Sequence, residues 1–467
     1  MPLPREPRTV PPPSDHASQS PPPRTCVPAG TARGVADQLC AYIDASPSPF
    51  HAVAEAARLL SEAGFVRMRA THHWPRDTKE VGRFLVRGGA LMAWGSRSGC
   101  DPATPFRVVG AHSDSPNLRI KPSPCISRAG WDLLGVEVYG EPLLNSWLDR
   151  DLGLSGRVAV RAGDDPSGVD YRLIRVDEPA LRVAQLAVHL DRGVNDEGLR
   201  LNRQTHLTAL WGTGTTAADA PDFRAYLGDL TGHCPADVLG WDVMTHDLTP
   251  ARRLGRVGDL VAAPRLDNLC SAFAGIRAVI DAVARPDGGQ ASVPVVVLFD
   301  HEEIGSVTER GGFSQLLPSV LERIVLGRGG GREDLLRALA GTMVASADMA
   351  HGVHPNYPER SEPDHPVHVN GGPVVKINAR GRYATDAAGL AVFQLACEQA
   401  GVPMQHYLAR GDMPCGSTIG PITAALTGAV TVDVGAPMLS MHSARELCGA
   451  DDPAAYLAAL TAFLTPV

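Results

Sequence analysis

Five places in this chain put an acid or an imidazole where an apolar run stops. Phe106–Gly110 leads into Ala111-His112-Ser113-Asp114. Val293–Phe299 leads into Asp300-His301-Glu302-Glu303. Thr342–Ala347 ends at Asp348, with His351 and His354 just beyond. The run Ala429–Val434 is followed by Met441-His442-Ser443, and Asp267 opens a helical stretch in Arg265-Leu266-Asp267-Asn268. Taken singly, each has a plain structural reading: a satisfied histidine, a solvated acid pair, a helix cap. Taken together they are hard to bury without cations, because unpaired buried acids are costly. Two histidines with aspartate and glutamate, and no cysteine, form a donor set that suits Zn²⁺, with Mn²⁺ or Co²⁺ as substitutes. A carboxylate can bridge two such ions about 3.5–4 Å apart, an arrangement that polarises a peptide carbonyl and activates water near neutral pH.

Groups of this kind converge when strands lie parallel in an open α/β sheet, whose carboxyl ends collect function. The pattern predicts such a sheet. Val293–Asp300 is almost wholly apolar, as a strand buried on both faces must be. Further strands are expected at Arg83–Trp94, Phe106–His112, Thr342–Asp348, Val374–Ala379, Met404–Ala409 and Ala429–Val434. Helices are expected at Val35–Ala45, Phe50–Ala63, Asn268–Val283, Ala387–Ala400 and Ala454–Leu464, the last capped by Asp451-Asp452 with Pro453 in its first turn. Between Cys125 and Ala262 the texture changes to short apolar runs and turn residues, which reads as a mostly β insert. The expected architecture is a three-layer α/β/α sandwich, residues 35–122 and 263–467, interrupted by a β-rich unit at 123–262. The first thirty residues hold ten prolines and no apolar central run. Residues 1–34 are expected to be a disordered, polyproline-like tail rather than a signal peptide.

The ordered set of motifs resembles the aspartyl aminopeptidase family of dinuclear zinc peptidases. The stretches that carry it are Gly110 to Pro122, Ala263 to Asn268, Phe299 to Ser306, Ser346 to His351, Lys376 to Tyr383, Met413 to Pro421 and Met441-His442-Ser443. The likeness runs from about Asp37 to the C-terminus. It implies that His112 and Glu303 hold one metal, that Asp348 and His442 hold the other, and that Asp267 bridges the two. It implies Glu302 as general base, Asp114 as the carboxylate that orients His112, and a cis peptide at Asp267–Asn268. It implies substrate contacts at His351, Lys376 and Tyr383, and a histidine of the insert, here His189, that reaches a neighbouring subunit's site. By itself His189 reads as a core residue among apolar neighbours. The resemblance further implies preference for N-terminal Asp or Glu, and dimers built through the insert that assemble into a tetrahedral dodecamer. One departure is His301, where a small polar residue is usual before the acid pair.

Composition narrows the alternatives. The net charge is −8 and no Lys/Arg block is present, which argues against a nucleic-acid partner. No run of roughly twenty apolar residues is present to span a membrane. Nine cysteines with no CxxC point to a reducing cytoplasm rather than a disulfide framework. A carboxypeptidase or N-deacylase on the same sandwich is the nearest competing enzyme, but no arginine clamp for a substrate carboxylate is evident. A non-catalytic scaffold is expected to have lost Glu302 or a ligand, and none is lost.

Overall fold

The computed structural model describes residues 29–76, 81–96, 101–162, 167–213, 222–285 and 292–467. Its centre is a nine-stranded mixed sheet in the order Val66–Met68, Val81–Arg87, Ala90–Ser96, Val293–Phe299, Phe106–His112, Met343–Ala347, Val430–Gly435, Val374–Ile377, Gln405–Leu408. Its middle strands, from Val293–Phe299 through Val430–Gly435, run parallel, so their carboxyl ends share one edge. Val374–Ile377 lies antiparallel to Val430–Gly435, with Lys376 opposite Asp433.

Alternation along the buried strands divides the core into two layers. Val109, Ala111, Val296 and Leu298 pack with the helices Ala29–Ala45, Pro49–Glu62, Leu266–Ala284, Ala387–Ala400 and Asp452–Leu464. Phe106, Val108, Val295, Val297 and Phe299 face the opposite way, against Leu316–Gly327, Arg332–Ala340 and Ile419 at the start of Ile419–Thr427. This is the expected α/β/α sandwich. A separate six-stranded antiparallel sheet, Val169–Leu181, Leu152–Arg161, Val238–Asp247, Asn117–Arg128, Trp131–Tyr139 and Ala209–Thr213, interrupts it. Leu118, Leu134, Leu154, Val158, Phe223 and Leu227 form the core of that unit.

Several boundaries differ from the sequence reading. Arg83–Trp94 is a hairpin, not one strand: the chain reverses at Gly88-Gly89, where Gly88 has φ +59° and a Cβ on Gly89 would meet the Asp300 carboxylate. Apolar alternation continues through both arms and hides the turn. The first helix starts at Ala29, so residues 29–34 are helical and do not belong to the expected tail. The rest of the tail lies outside the described residues. The inserted sheet takes its first strand from Asn117, six residues before the expected boundary. Arg252–Leu254 and Leu260–Ala263 already belong to a five-stranded sheet with Glu446–Gly449 and Pro437–Leu439. Among the described residues, no helix is long and apolar enough to cross a membrane.

Candidate metal centre

His112 ends its strand, Asp348 directly follows Met343–Ala347, and Glu302 and Glu303 lie on a single 3₁₀ turn after Val293–Phe299. Asp267 opens the helix Leu266–Ala284, and His442 sits in a left-handed turn, φ 66°, beyond Pro437–Leu439. The Asp267–Asn268 peptide is cis, as the resemblance implies. Asp267 is the hub: its Oδ1 lies 3.4 Å from His112 Nε2 and its Oδ2 lies 3.4 Å from His442 Nε2. Around each oxygen a trio closes, His112–Asp267–Asp348 and Asp267–Glu303–His442. This corrects the pairing expected from the resemblance. His112 is grouped with Asp348, its Nε2 3.7 Å from Oδ1, while Glu303 Oε2 is 3.4 Å from His442 Nε2.

The donors fit a pair of divalent cations. Asp267 Oδ1 and Glu303 Oε1 are buried and accept no hydrogen bond within the described protein, which such acceptors rarely tolerate. Ionisation is correspondingly strained. Burial and the Asp267 charge push Glu303 far above the usual carboxylate range, and burial with its acidic neighbours pushes Glu302 up to about 8. Burial also opposes ionisation of Asp267, yet the close imidazoles of His112 and His442 outweigh it and hold this carboxyl very low. A centre this rich in acid is stabilised by positive charge at its middle.

The supporting residues differ in part from expectation. His112 Nδ1 is held at 3.0 Å by the backbone carbonyl of Asp114, more closely than by that residue's carboxylate at 3.5 Å. The Asp114 carboxylate instead accepts the backbone N–H groups of Glu302 and Glu303 and the Tyr139 hydroxyl. It therefore fixes the turn that presents both glutamates. Two supports escaped the sequence reading. Tyr139 lies in an ordinary strand pattern. Glu446 is buried, and its carboxylate accepts the backbone N–H of Asp267 at 3.0 Å and of His442 at 2.7 Å. Its only sequence signal is an acid in the buried strand Glu446–Gly449.

The expected substrate residues divide. Lys376 is buried, with Nζ 3.1 Å from both Asp348 Oδ2 and the Met349 carbonyl oxygen. Two of its three N–H donors are thus engaged within the chain. Tyr383 lies next to it, its ring centroid 5.3 Å from Nζ, and Tyr407 connects Tyr383 with His351 at centroid distances of 6.3 and 6.0 Å. Desolvation, and then the Lys376 charge, lower the His351 pKa and favour the neutral ring. His301 is tied to Thr308 Oγ1 at 2.9 Å and to Arg310 Nη2 at 3.2 Å. His189 is exposed in a turn rather than packed in a core.

A cluster of histidines and carboxylates at the carboxyl edge of a parallel sheet, sharing one aspartate between two trios, defines the metallohydrolase class. The profile described as "Aminopeptidase I zinc metalloprotease (M18)" matches residues 42–464, and the chain belongs to this family of zinc-dependent aminopeptidases, hydrolases of peptide bonds. The chain is 51% identical over 434 residues to a "Probable M18 family aminopeptidase 2" of Streptomyces coelicolor, covering 93% of this chain and 98% of that one. It is 52% identical over 442 residues to a protein of the same description from Mycobacterium tuberculosis, covering 94% and 98%. Among solved structures, one described as the "Ape4 and Nbr1 complex" superposes with TM-score 0.89 at 34% identity, covering 93% of this chain and 86% of that one. The "S. cerevesiae mApe1 dodecamer" gives 0.80 at 26%, covering 93% and 97%.

Proposed function

We propose that this aminopeptidase releases N-terminal residues, with preference for Asp and Glu, at a two-metal centre served by Glu302. The observation that carries this reading is the sharing of Asp267 between two ligand trios with Glu302 beside them. His112 and Asp348 would hold one zinc, Glu303 and His442 the other, and Asp267 both. Bound zinc supplies electrophilic activation of the scissile carbonyl and of water. Glu302 Oε2, 3.9 Å from His112 Nε2 and at the edge of the cluster, takes the proton of the attacking water and delivers it to the leaving amine. The acids that surround the cluster suit a free α-amine at the substrate's end.

Preference for an acidic first residue follows the sequence resemblance and needs a cation at the site. Lys376 remains the nearest candidate. An ammonium has three donors, and two acceptors, Asp348 and Met349, engage it within the chain.

The six-stranded unit is proposed to build a dimer, and dimers a dodecamer. The exposed Leu186, Val188 and Leu190 beside His189, 57%, 48% and 75% accessible, form apolar surface that a second subunit would cover. His189 would then complete the neighbour's site. The described cysteines are free thiols, which suits a cytoplasmic setting. The test is hydrolysis of aspartyl, glutamyl, leucyl and alanyl p-nitroanilides by zinc-loaded protein, with N-acetylated forms as controls. Turnover of the acetylated forms would refute the aminopeptidase reading, and faster leucyl turnover would remove the acidic preference.

A further inference from the structure

Two loops meet beside Lys376, which bonds Asp348 and lies 5.3 Å from the Tyr383 ring centroid. One carries Tyr383, the other runs from Met413 to Thr418. They are knitted to each other: Arg382 Nε donates to the carbonyls of Cys415 and Gly416, and Ser417 Oγ donates to the Arg382 carbonyl. Both are also anchored at one carboxylate. Asp433 is fully buried in the strand Val430–Gly435. Its Oδ2 accepts the backbone N–H of Ala384, next to Tyr383, at 2.6 Å. Its Oδ1 accepts the hydroxyl of Thr418, which caps the helix Ile419–Thr427. Its own N–H donates to Thr385 Oγ1 at 2.9 Å. Across the strand pair it faces Lys376, whose charge partly offsets the burial that raises the Asp433 pKa.

We propose that Asp433 is a positioning residue for substrate binding: it locks the Tyr383 loop and the Met413–Thr418 segment into one wall beside Lys376. Space at this point is committed to the carboxylate. A Cβ on Gly420 would lie 2.3 Å from Asp433 Oδ2, so the helix start can approach only because residue 420 is glycine. A carboxylate with two charge-assisted bonds fixes geometry more tightly than neutral pairs do. Loss of either bond frees one loop while the ligand trios keep their own anchors, namely the Asp114 carbonyl, the Asp114 carboxylate and Glu446.

This inference rests on the reading of the metal centre, and the test separates the two. Asp433→Asn, Thr418→Val and Thr418→Ser are compared with wild type in the zinc-loaded protein, using aspartyl and leucyl p-nitroanilide and measuring bound zinc in the same samples. Thr418→Val and Asp433→Asn are expected to raise KM about 10-fold, with kcat changed less than about 3-fold and full zinc content, since loosened positioning acts on binding geometry. Thr418→Ser, which keeps the hydroxyl, is expected to behave as wild type. If Asp433→Asn does not fold, Thr418→Val decides alone, because it removes only the hydroxyl. Unchanged KM in Thr418→Val, equal loss in Thr418→Ser, or zinc lost together with kcat each overturns the proposal. Failure of the metal-centre reading would show elsewhere, as zinc and activity retained in Asp348→Asn.

Discussion

Lys376 Nζ and Asp348 Oδ2 lie 3.1 Å apart, and both side chains are largely withdrawn from water, 3% and 13% accessible. The sequence resemblance makes this lysine a substrate contact, whereas the geometry makes it first a partner of Asp348, a member of one candidate ligand trio. Removing the lysine leaves an under-compensated carboxylate in a partly dry site. Lys376→Met is therefore expected to lower kcat/KM on leucyl as well as aspartyl substrates, by roughly 10–100-fold for the neutral one, with a larger loss on the acidic one. Steady-state kinetics on both substrates check this. A loss confined to aspartyl substrate would mean that the Asp348 contact carries no functional weight.

Metal removal and the acid pair should separate cleanly. Chelation is expected to abolish activity, and about two equivalents of zinc per chain to restore it. Glu302→Gln should bind that same amount yet lose on the order of 10²–10⁴ in rate. Glu303→Gln should instead lose metal, because Glu303 closes one of the trios. Zinc analysis of the two variants beside their rates decides the assignment, and the reverse pattern would exchange the two roles.

Glu446 braces Asp267 and His442, two of the proposed ligands, through their backbones. In Glu446→Gln one of its oxygens becomes a donor facing an N–H that needs an acceptor. Zinc affinity is expected to fall roughly 10–100-fold, as for other groups that orient metal ligands, while Glu302 is untouched. Competition with a fluorescent chelator measures it. Wild-type affinity in this variant would confine Glu446 to fold stability.

His189 tests assembly. A His189→Ala variant should keep its oligomeric state by light scattering and its zinc, yet lose activity, if the side chain serves the site of another subunit as proposed. A fully active monomeric enzyme would refute the shared site.

Acid stability should carry the mark of His51. Burial first, then the Arg175 and Arg265 charges, lower its pKa to about 4, against roughly 6.5 for an unperturbed imidazole. Between these values the unfolded chain binds a proton that the folded one does not, so stability rises with pH across this window. The contribution is complete above about 6.5 and is lost as pH falls towards 4, on the order of 1–3 kcal/mol. His51→Gln should flatten that part of the profile in denaturant melts at pH 7 and pH 4.5. An unchanged slope would assign the acid sensitivity to other groups.

The sequence alone, read with the family resemblance, picked out the candidate residues of the centre and where they sit along the chain. His112, Asp348 and the Glu302-Glu303 pair each follow an apolar run, and a run buried on both faces has to be an inner parallel strand. Their clustering at one sheet edge follows from that local rule. What the tertiary structure decided is who faces whom. Strand order placed His112 between the Glu302-Glu303 turn and Asp348, side-chain geometry then brought it to Asp348 and brought Glu303 to His442, and the two oxygens of Asp267 point to different imidazoles. Glu446, Tyr139 and Asp433 look like ordinary acids and aromatics in their own segments. Each acquires its role from backbone N–H groups or side chains 4 to 179 residues away. Lys376 shows the same limit in reverse: an isolated lysine in an apolar strand reads equally as an edge residue facing water or as one with a buried partner, and only the neighbouring strands determine that it has the partner Asp348. Strand periodicity is a local property that a sequence displays, whereas hydrogen-bond partners across a sheet depend on register and strand order, which only the folded chain fixes.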